Sequence, residues 1–226
     1  MIQAQPAQLH VLPETAWIMP IQRTAPAQWQ RLLAALDEQR AVVTLGAPMP
    51  AQEDQRAGRP RVSLTNSMVT IDADGHAINR YDKQQLVPFG EFIPFGFAWF
   101  VNLMDIPLGE FGRGAPTQAP LTLAGQRIAF NICYEDLFGE LIGAQVRDGG
   151  ATILVNASNI AWFGNTHALP QHLGISRMRA REFARPMLRA TNTGMTAWID
   201  HRGQVRGVLP PTSNACSKHR CKARRA

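Results

Sequence analysis

A thiol, a carboxylate and an amine each stand where an extended segment of this chain stops. Ile128, Phe130 and Ile132 alternate along a β-type run that ends at Cys133, and Tyr134, Glu135 and Asp136 follow it. Glu14 comes directly after Pro13, at the end of an extended segment over residues 9–12. Lys83 follows a strand-like run over residues 76–81, with Asp82 and Glu91 as nearby acids. In α/β folds, functional groups collect outside the carboxyl ends of strands. These three suit covalent acyl transfer, in which the thiol attacks a carbonyl, the carboxylate takes its proton and the ammonium stabilises the oxyanion. A helix N-terminus directly after Cys133 would lower the thiol pKa and favour the thiolate. Each residue alone has a plainer reading. Cys133 could be a small buried hydrophobe, Glu14 a turn-capping acid and Lys83 an exposed charge paired with either neighbouring acid. The recurrence at three strand ends favours chemistry.

The elements that would position them alternate between strand and helix. Pro26 opens a helix over residues 26–40 with Trp29, Leu32, Leu33 and Leu36 as its buried stripe, and residues 41–46 form a buried strand. Residues 48–60 are polar and turn-rich and predict a loop. Residues 61–71 and 76–81 pair as a hairpin about Asp74 and Gly75. Residues 121–123 and 127–132 flank Ala124 and Gly125 as a second hairpin, followed by a helix to residue 147 and a buried strand over 151–156. Pro170 opens a helix to residue 185, with Leu173, Met178 and Phe183 facing inward. Strands over 188–192, 196–200 and 204–209 complete an α/β pattern.

Composition removes several alternatives. The 226 residues are 45% hydrophobic and 18% charged, as expected of one globular domain. The net charge of +6 is concentrated in Lys218, Arg220, Lys222, Arg224 and Arg225, so it describes a solvated tail and not a nucleic-acid surface. Three cysteines are too few for a disulfide framework. Cys216, His219 and Cys221 match no zinc spacing, and His167 and His172 form no HExxH pair, so no metal or other cofactor is expected. The chain opens without a signal-peptide pattern, and no apolar run reaches the roughly 18 residues of a membrane span. Residues 92–108 are rich in Phe, Trp, Leu and Met but broken by Pro94, Gly96, Asn102, Asp105 and Pro107, which predicts a long apolar loop.

Four blocks carry a resemblance: Pro13-Glu14; Tyr81 and Lys83 with Leu86-Val87-Pro88-Phe89-Gly90-Glu91; Ile132-Cys133-Tyr134-Glu135; and Ala161-Trp162-Phe163-Gly164. They resemble the nitrilase (carbon–nitrogen hydrolase) superfamily. Gln171-His172, the basic run over 177–186 and the run over 189–194 are similar to its membrane branch, the apolipoprotein N-acyltransferases. The likeness covers residues 9–209 and implies an α/β fold, a four-layer α-β-β-α sandwich. It implies Cys133 as nucleophile, Glu14 as general base and Lys83 as the oxyanion-stabilising cation. Glu91 would be a second essential glutamate, Tyr134 and Glu135 would support the nucleophile, and Trp162 would lie on a loop near the site.

The implied partners are a phospholipid acyl donor, typically phosphatidylethanolamine, a diacylglyceryl-cysteine lipoprotein as acceptor, and a membrane surface. Neither cofactor nor nucleic acid is implied. The resemblance implies a bacterial inner membrane with the catalytic domain on the periplasmic side, where the loop over 92–108 would dip into lipid and shield a thioester from water. The chain departs from the family in lacking its membrane spans and in carrying Ile160 where an aspartate is usual. The catalytic domain is expected over residues 1–211, without the family's first strand, ahead of a basic tail over 212–226. Two further readings stay open: a soluble amidase using the same three residues with water as acceptor, and a non-catalytic remnant.

Overall fold

Two β-sheets lie face to face, each covered on its outer side by helix. The computed structural model describes residues 6–51, 64–88, 90–92 and 111–212. The first sheet orders β1 (Leu9–Val11), β2 (Val42–Pro50), β3 (Leu64–Ile71) and β4 (Ala77–Asp82), with β5 (Phe111–Gly112) also pairing with β3. The second contains β6 (Leu121–Leu123), β7 (Gln126–Ile132), β8 (Ile153–Ser158), β9 (Met187–Thr191), β10 (Ala197–Ile199) and β11 (Val205–Val208), side by side in that order. Its three central strands, β7 to β9, are parallel. Helix α1 (Pro26–Gln39) covers the first sheet, while α2 (Gly139–Arg147) and α3 (Ala168–Glu182) cover the second. This is the expected α-β-β-α sandwich.

Strand alternation assigns the layers. On β7, Ile128, Phe130 and Ile132 point between the sheets and meet Met68 and Tyr81 of the first sheet, whereas Ala129 faces the helices with Leu154, Ile142 and Leu173. On β2, Val43, Leu45 and Ala47 pack beneath α1 against Leu36 and Val69. The hydrophobic stripe of α1 is therefore the one expected, with Leu36 fully buried at its centre. Among the described residues, no helix is long and apolar enough to cross a membrane.

Some boundaries differ from expectation. Residues 48–50 continue β2 instead of starting a loop, pairing Pro48 with Asn66 and Pro50 with Leu64. Prolines fit there because β1 pairs with β2 only over Val42, Val43 and Thr44, leaving the far end of β2 an edge on that side. Helix α3 begins before Pro170, which lies in the first turn where its missing N–H costs no hydrogen bond. Met178, expected to face inward, is 59% exposed on the outer face of α3. The apolar loop over 92–108 and the tail over 212–226 lie outside the described residues, apart from Phe92 and Thr212.

Phe130 is the largest apolar side chain that β7 contributes between the sheets. Phe130→Ala should lower unfolding free energy by about 3–5 kcal/mol, because the sandwich cannot close around the cavity. Urea denaturation followed by tryptophan fluorescence measures it.

Candidate active site

Cys133 is held in a backbone conformation that few non-glycine residues adopt. Its φ is +55°, in the left-handed region, at the point where β7 ends. Such a residue costs on the order of 1 kcal/mol or more and persists where its surroundings fix it. The segment that follows is a 3-10 turn, Cys133–Leu137, and α2 starts only at Gly139. The helix N-terminus expected beside the thiol is therefore absent. Burial pushes the Cys133 thiol up to about 12, with the charge of Glu14 adding to it, while Lys83 and the Tyr134 N–H pull the other way. The expectation of a lowered pKa is overturned by burial. At neutral pH the group is a thiol, so any nucleophilic attack requires a base that removes its proton.

That base has a candidate in Glu14, which is 6% exposed. It follows Pro13 in the loop after β1, and Gly46 of β2 lets that loop lie against the sheet. A Cβ at Gly46 would come within 2.6 Å of the Glu14 Cα and the Thr15 nitrogen. The carboxylate is aimed by three donors. Asn66 Nδ2 donates to Oε1 at 2.7 Å, the Asn159 N–H donates to Oε2 at 2.7 Å, and Lys83 Nζ reaches Oε1 at 3.2 Å.

Lys83 is 1% exposed, against the plain reading of an exposed charge. It pairs with Glu14 and with Glu91, whose Oε2 is 2.9 Å away, and its ammonium lies 5.8 Å from the centre of the Tyr134 ring. Asp82 takes no part, because Thr65, Ser67 and Arg80 occupy its carboxylate on the neighbouring face of β4. Burial alone would lower the lysine pKa, but Glu14, Cys133 and Glu91 together raise it, so Lys83 is an ammonium. Asn66 donates to Glu91 Oε1 as well as to Glu14, each at 2.7 Å, and so spaces the two carboxylates. Sequence reasoning missed Asn66; its alternation on β3 carries no chemical signal.

Glu135 ties the thiol to the lysine. Its Oε2 accepts from the Ile132 N–H at 2.7 Å and from the Tyr81 hydroxyl at 3.0 Å; its Oε1 accepts from the N–H groups of Gln84 and Gln85 at 2.7 and 3.1 Å. One buried side chain thus joins the residue before Cys133 to the two residues after Lys83. Burial raises Glu135 to about 7, with the three backbone N–H groups opposing that shift. Tyr134 donates to the Leu86 carbonyl at 2.8 Å and packs edge-on against Phe138. Trp162 stands apart from these hydrogen bonds, 89% exposed on the turn Ala161–Phe163 after β8. Ile160 is buried, and its N–H donates to Asn192 Oδ1 at 3.0 Å. The apolar side chain fits a position that faces the interior.

Asp72, Asp74 and His76 are the one group among the described residues with metal-ligating spacing. They lie on the β3–β4 hairpin turn, away from this cluster, where Asp72 already accepts from the His76 N–H.

The family profile described as carbon-nitrogen hydrolase matches residues 1–217. The chain is 50% identical over 212 residues to a protein of Ralstonia nicotianae named apolipoprotein N-acyltransferase, covering 93% of this chain and 39% of that one. It is 52% identical over 214 residues to a Verminephrobacter eiseniae protein of the same name, covering 90% and 38%. The chain thus spans about two fifths of the length of these curated relatives. Among solved structures it resembles a mutant of the amidase from Nesterenkonia sp. AN1 carrying a covalent acetamide adduct at its active-site cysteine. That match has a TM-score of 0.63 and 19% identity, covering 92% of this chain and 75% of that one. The NitFhit protein of C. elegans matches with a TM-score of 0.64 and 20% identity, covering 93% and 52%. These two likenesses speak to the fold.

The charge balance predicts an inverse effect. Glu14 raises the Cys133 pKa, so Glu14→Gln should move the midpoint of Cys133 alkylation by iodoacetamide to lower pH. Alkylation rates measured against pH, at the Cys133 peptide, check this; an unmoved midpoint would show that Glu14 does not act on the thiol.

Proposed function

The chain belongs to the carbon–nitrogen hydrolase family, and on that premise we propose that it carries the catalytic site of a lipoprotein N-acyltransferase. The observation that carries this reading is the buried cluster of Glu14, Lys83 and Glu91 acting on Cys133 at the ends of β1, β4 and β7. Cys133 is the nucleophile, Glu14 the general base, and Lys83 the cation that receives the oxyanion. Glu91 and Asn66 fix the ammonium and the base at a set spacing, and Glu135 fixes lysine against thiol. Trp162, exposed with Phe163 on the turn after β8, is read as an apolar contact for lipid near the site.

The chemistry runs in two halves. Glu14 takes the thiol proton as Cys133 Sγ attacks the ester carbonyl of a phospholipid, and negative charge collects on the carbonyl oxygen beside Lys83. Collapse breaks the ester C–O bond. The leaving alkoxide takes the proton back from Glu14, releasing a lysophospholipid and leaving a thioester. The α-amine of a diacylglyceryl-cysteine then attacks, Glu14 accepts its proton, and as the amide forms the C–S bond breaks and Glu14 returns that proton to Cys133 Sγ. A thiol that is protonated at rest suits this scheme, since every step passes one proton through the same carboxylate. The relatives' name supports a lipoprotein as substrate; a phospholipid donor, a bacterial membrane and a site on its periplasmic side are the parts of this reading that rest on the resemblance. An amide in place of the ester, and water in place of the amine, would make the same residues an amidase.

Incubation with phosphatidylethanolamine vesicles followed by intact-mass measurement tests the reading. A fatty-acyl adduct should form on the wild-type chain and be absent from Cys133→Ala, whose fold is retained. Lys83→Ala should slow adduct formation by about 3 kcal/mol, roughly a hundredfold, through loss of oxyanion stabilisation. A Lys83→Ala rate near wild type would remove the role given to that lysine. Turnover of small amides without any acyl adduct would establish the amidase instead.

A further inference from the structure

Beneath Cys133, on the helix side of the second sheet, lies a polar cluster that the chemistry above does not use. Asn131, Asn156 and Arg189 stand opposite one another across β7, β8 and β9. Asp136, His172 and Ser176 close over them from the 3-10 turn and α3, and all six are buried. Arg189 NH1 lies 3.4 Å from Asp136 Oδ2 and 2.7 Å from Ser176 Oγ, and Ser176 donates to the same carboxylate at 2.7 Å. Arg189 NH2 is 2.7 Å from His172 Nδ1. A guanidinium only donates, so Nδ1 accepts and the ring hydrogen sits on Nε2. That nitrogen lies 3.0 Å from Asp136 Oδ1 and 3.3 Å from the Cys133 carbonyl oxygen. Asn156 Nδ2 donates to the same carbonyl at 2.8 Å, while its Oδ1 accepts from Ser158 Oγ and Arg189.

We propose that Asp136, His172 and Arg189 are a positioning cluster, which holds the Cys133 carbonyl toward the helices so that the Tyr134 N–H of the same peptide faces the thiol. Within one trans peptide the C=O and N–H point in opposite directions, so Asn156 Nδ2 and the Nε2 hydrogen that His172 shares between Asp136 and the carbonyl together aim the N–H into the site. This is also what keeps Cys133 at its left-handed φ. A buried ion pair contributes little stability beyond what an apolar filling of the same space would supply. The directed hydrogen bonds are therefore the physical contribution of the cluster. The proposal rests on the reading of Cys133 as nucleophile.

The test is alkylation of Cys133 by iodoacetamide at mildly alkaline pH, read at its peptide by mass, alongside thermal unfolding of each variant. Loosened packing would expose the thiol and speed alkylation. Loss of the aimed N–H removes a stabiliser of the thiolate and slows it, so the two causes differ in sign. His172→Phe and His172→Asn, neither of which places a donor at Nε2, should react about tenfold more slowly. His172→Gln, whose amide nitrogen reaches the Nε2 position, should recover most of the wild-type rate. Rates that are unchanged or faster in His172→Phe and His172→Asn, or equal in Gln and Asn, overturn the proposal. Should His172→Phe lack a cooperative transition, the Gln and Asn pair decides; if both of these also fail to fold, the cluster is structural and the proposal falls. A wild-type Cys133 inert to the reagent would defeat the nucleophile reading and this one with it, whereas a reactive wild type with unaffected variants defeats this one alone.

Discussion

An ammonium that is 1% exposed sets the terms for everything near it. Lys83 could not stay charged at that depth without opposite charge in contact, and a single carboxylate would leave donors on its far side unmatched. The fold supplies two, Glu14 from the loop after β1 and Glu91 from the loop after β4. Two carboxylates around one cation then need a spacer of their own, and Asn66 on β3 donates to both. Burial, with Glu14 and Glu91 adding to it and Lys83 opposing, raises the neighbouring thiol, which is why Cys133 is held protonated and why its proposed chemistry depends on a base.

The 3-10 turn after β7 divides its two acids between two directions. Glu135 reaches into the first sheet and gathers the Tyr81 hydroxyl and the backbone beside Lys83. Asp136 reaches the opposite way, to His172, Ser176 and Arg189. Adjacent carboxylates would repel if they shared a face; in this turn each has a separate set of donors. Cys133 therefore sits at the point where the two sheets and a covering helix are all hydrogen-bonded to a single five-residue turn.

The sandwich was legible wherever burial followed a simple period. Ile128, Phe130 and Ile132 alternate because one side of β7 faces the other sheet, and Leu36 recurs with Leu32 and Leu33 because α1 lies flat on β2. Glu14, Lys83 and Cys133 were legible as polar groups placed at strand ends, and the roles proposed for them came from the resemblance. What escaped was set by contacts distant in sequence. Asn66 lies 52 residues from Glu14, and Arg189 lies 53 from Asp136, so no local pattern joins them. The thiol pKa depends on such contacts too: a 3-10 turn stands where the pattern predicts a helix, and the depth of burial around Cys133 depends on both sheets at once. Spacing alone places Met178 inward, yet the neighbouring face of α3 is the one that meets the sheet.

The hydrogen bond from the Asn159 N–H to Glu14 spans 145 residues of chain. Loop-closure entropy grows only slowly with length, so a contact this distant in sequence is held once both sheets are in place. The aim of the Glu14 carboxylate therefore depends on two loops, one leaving β1 of the first sheet and one leaving β8 of the second. A chain that is collapsed but incompletely assembled would hold Cys133 without an aligned base. The proposed acyl transfer is thus tied to assembly, since its base is aimed only when the loop after β1 and the loop after β8 have met.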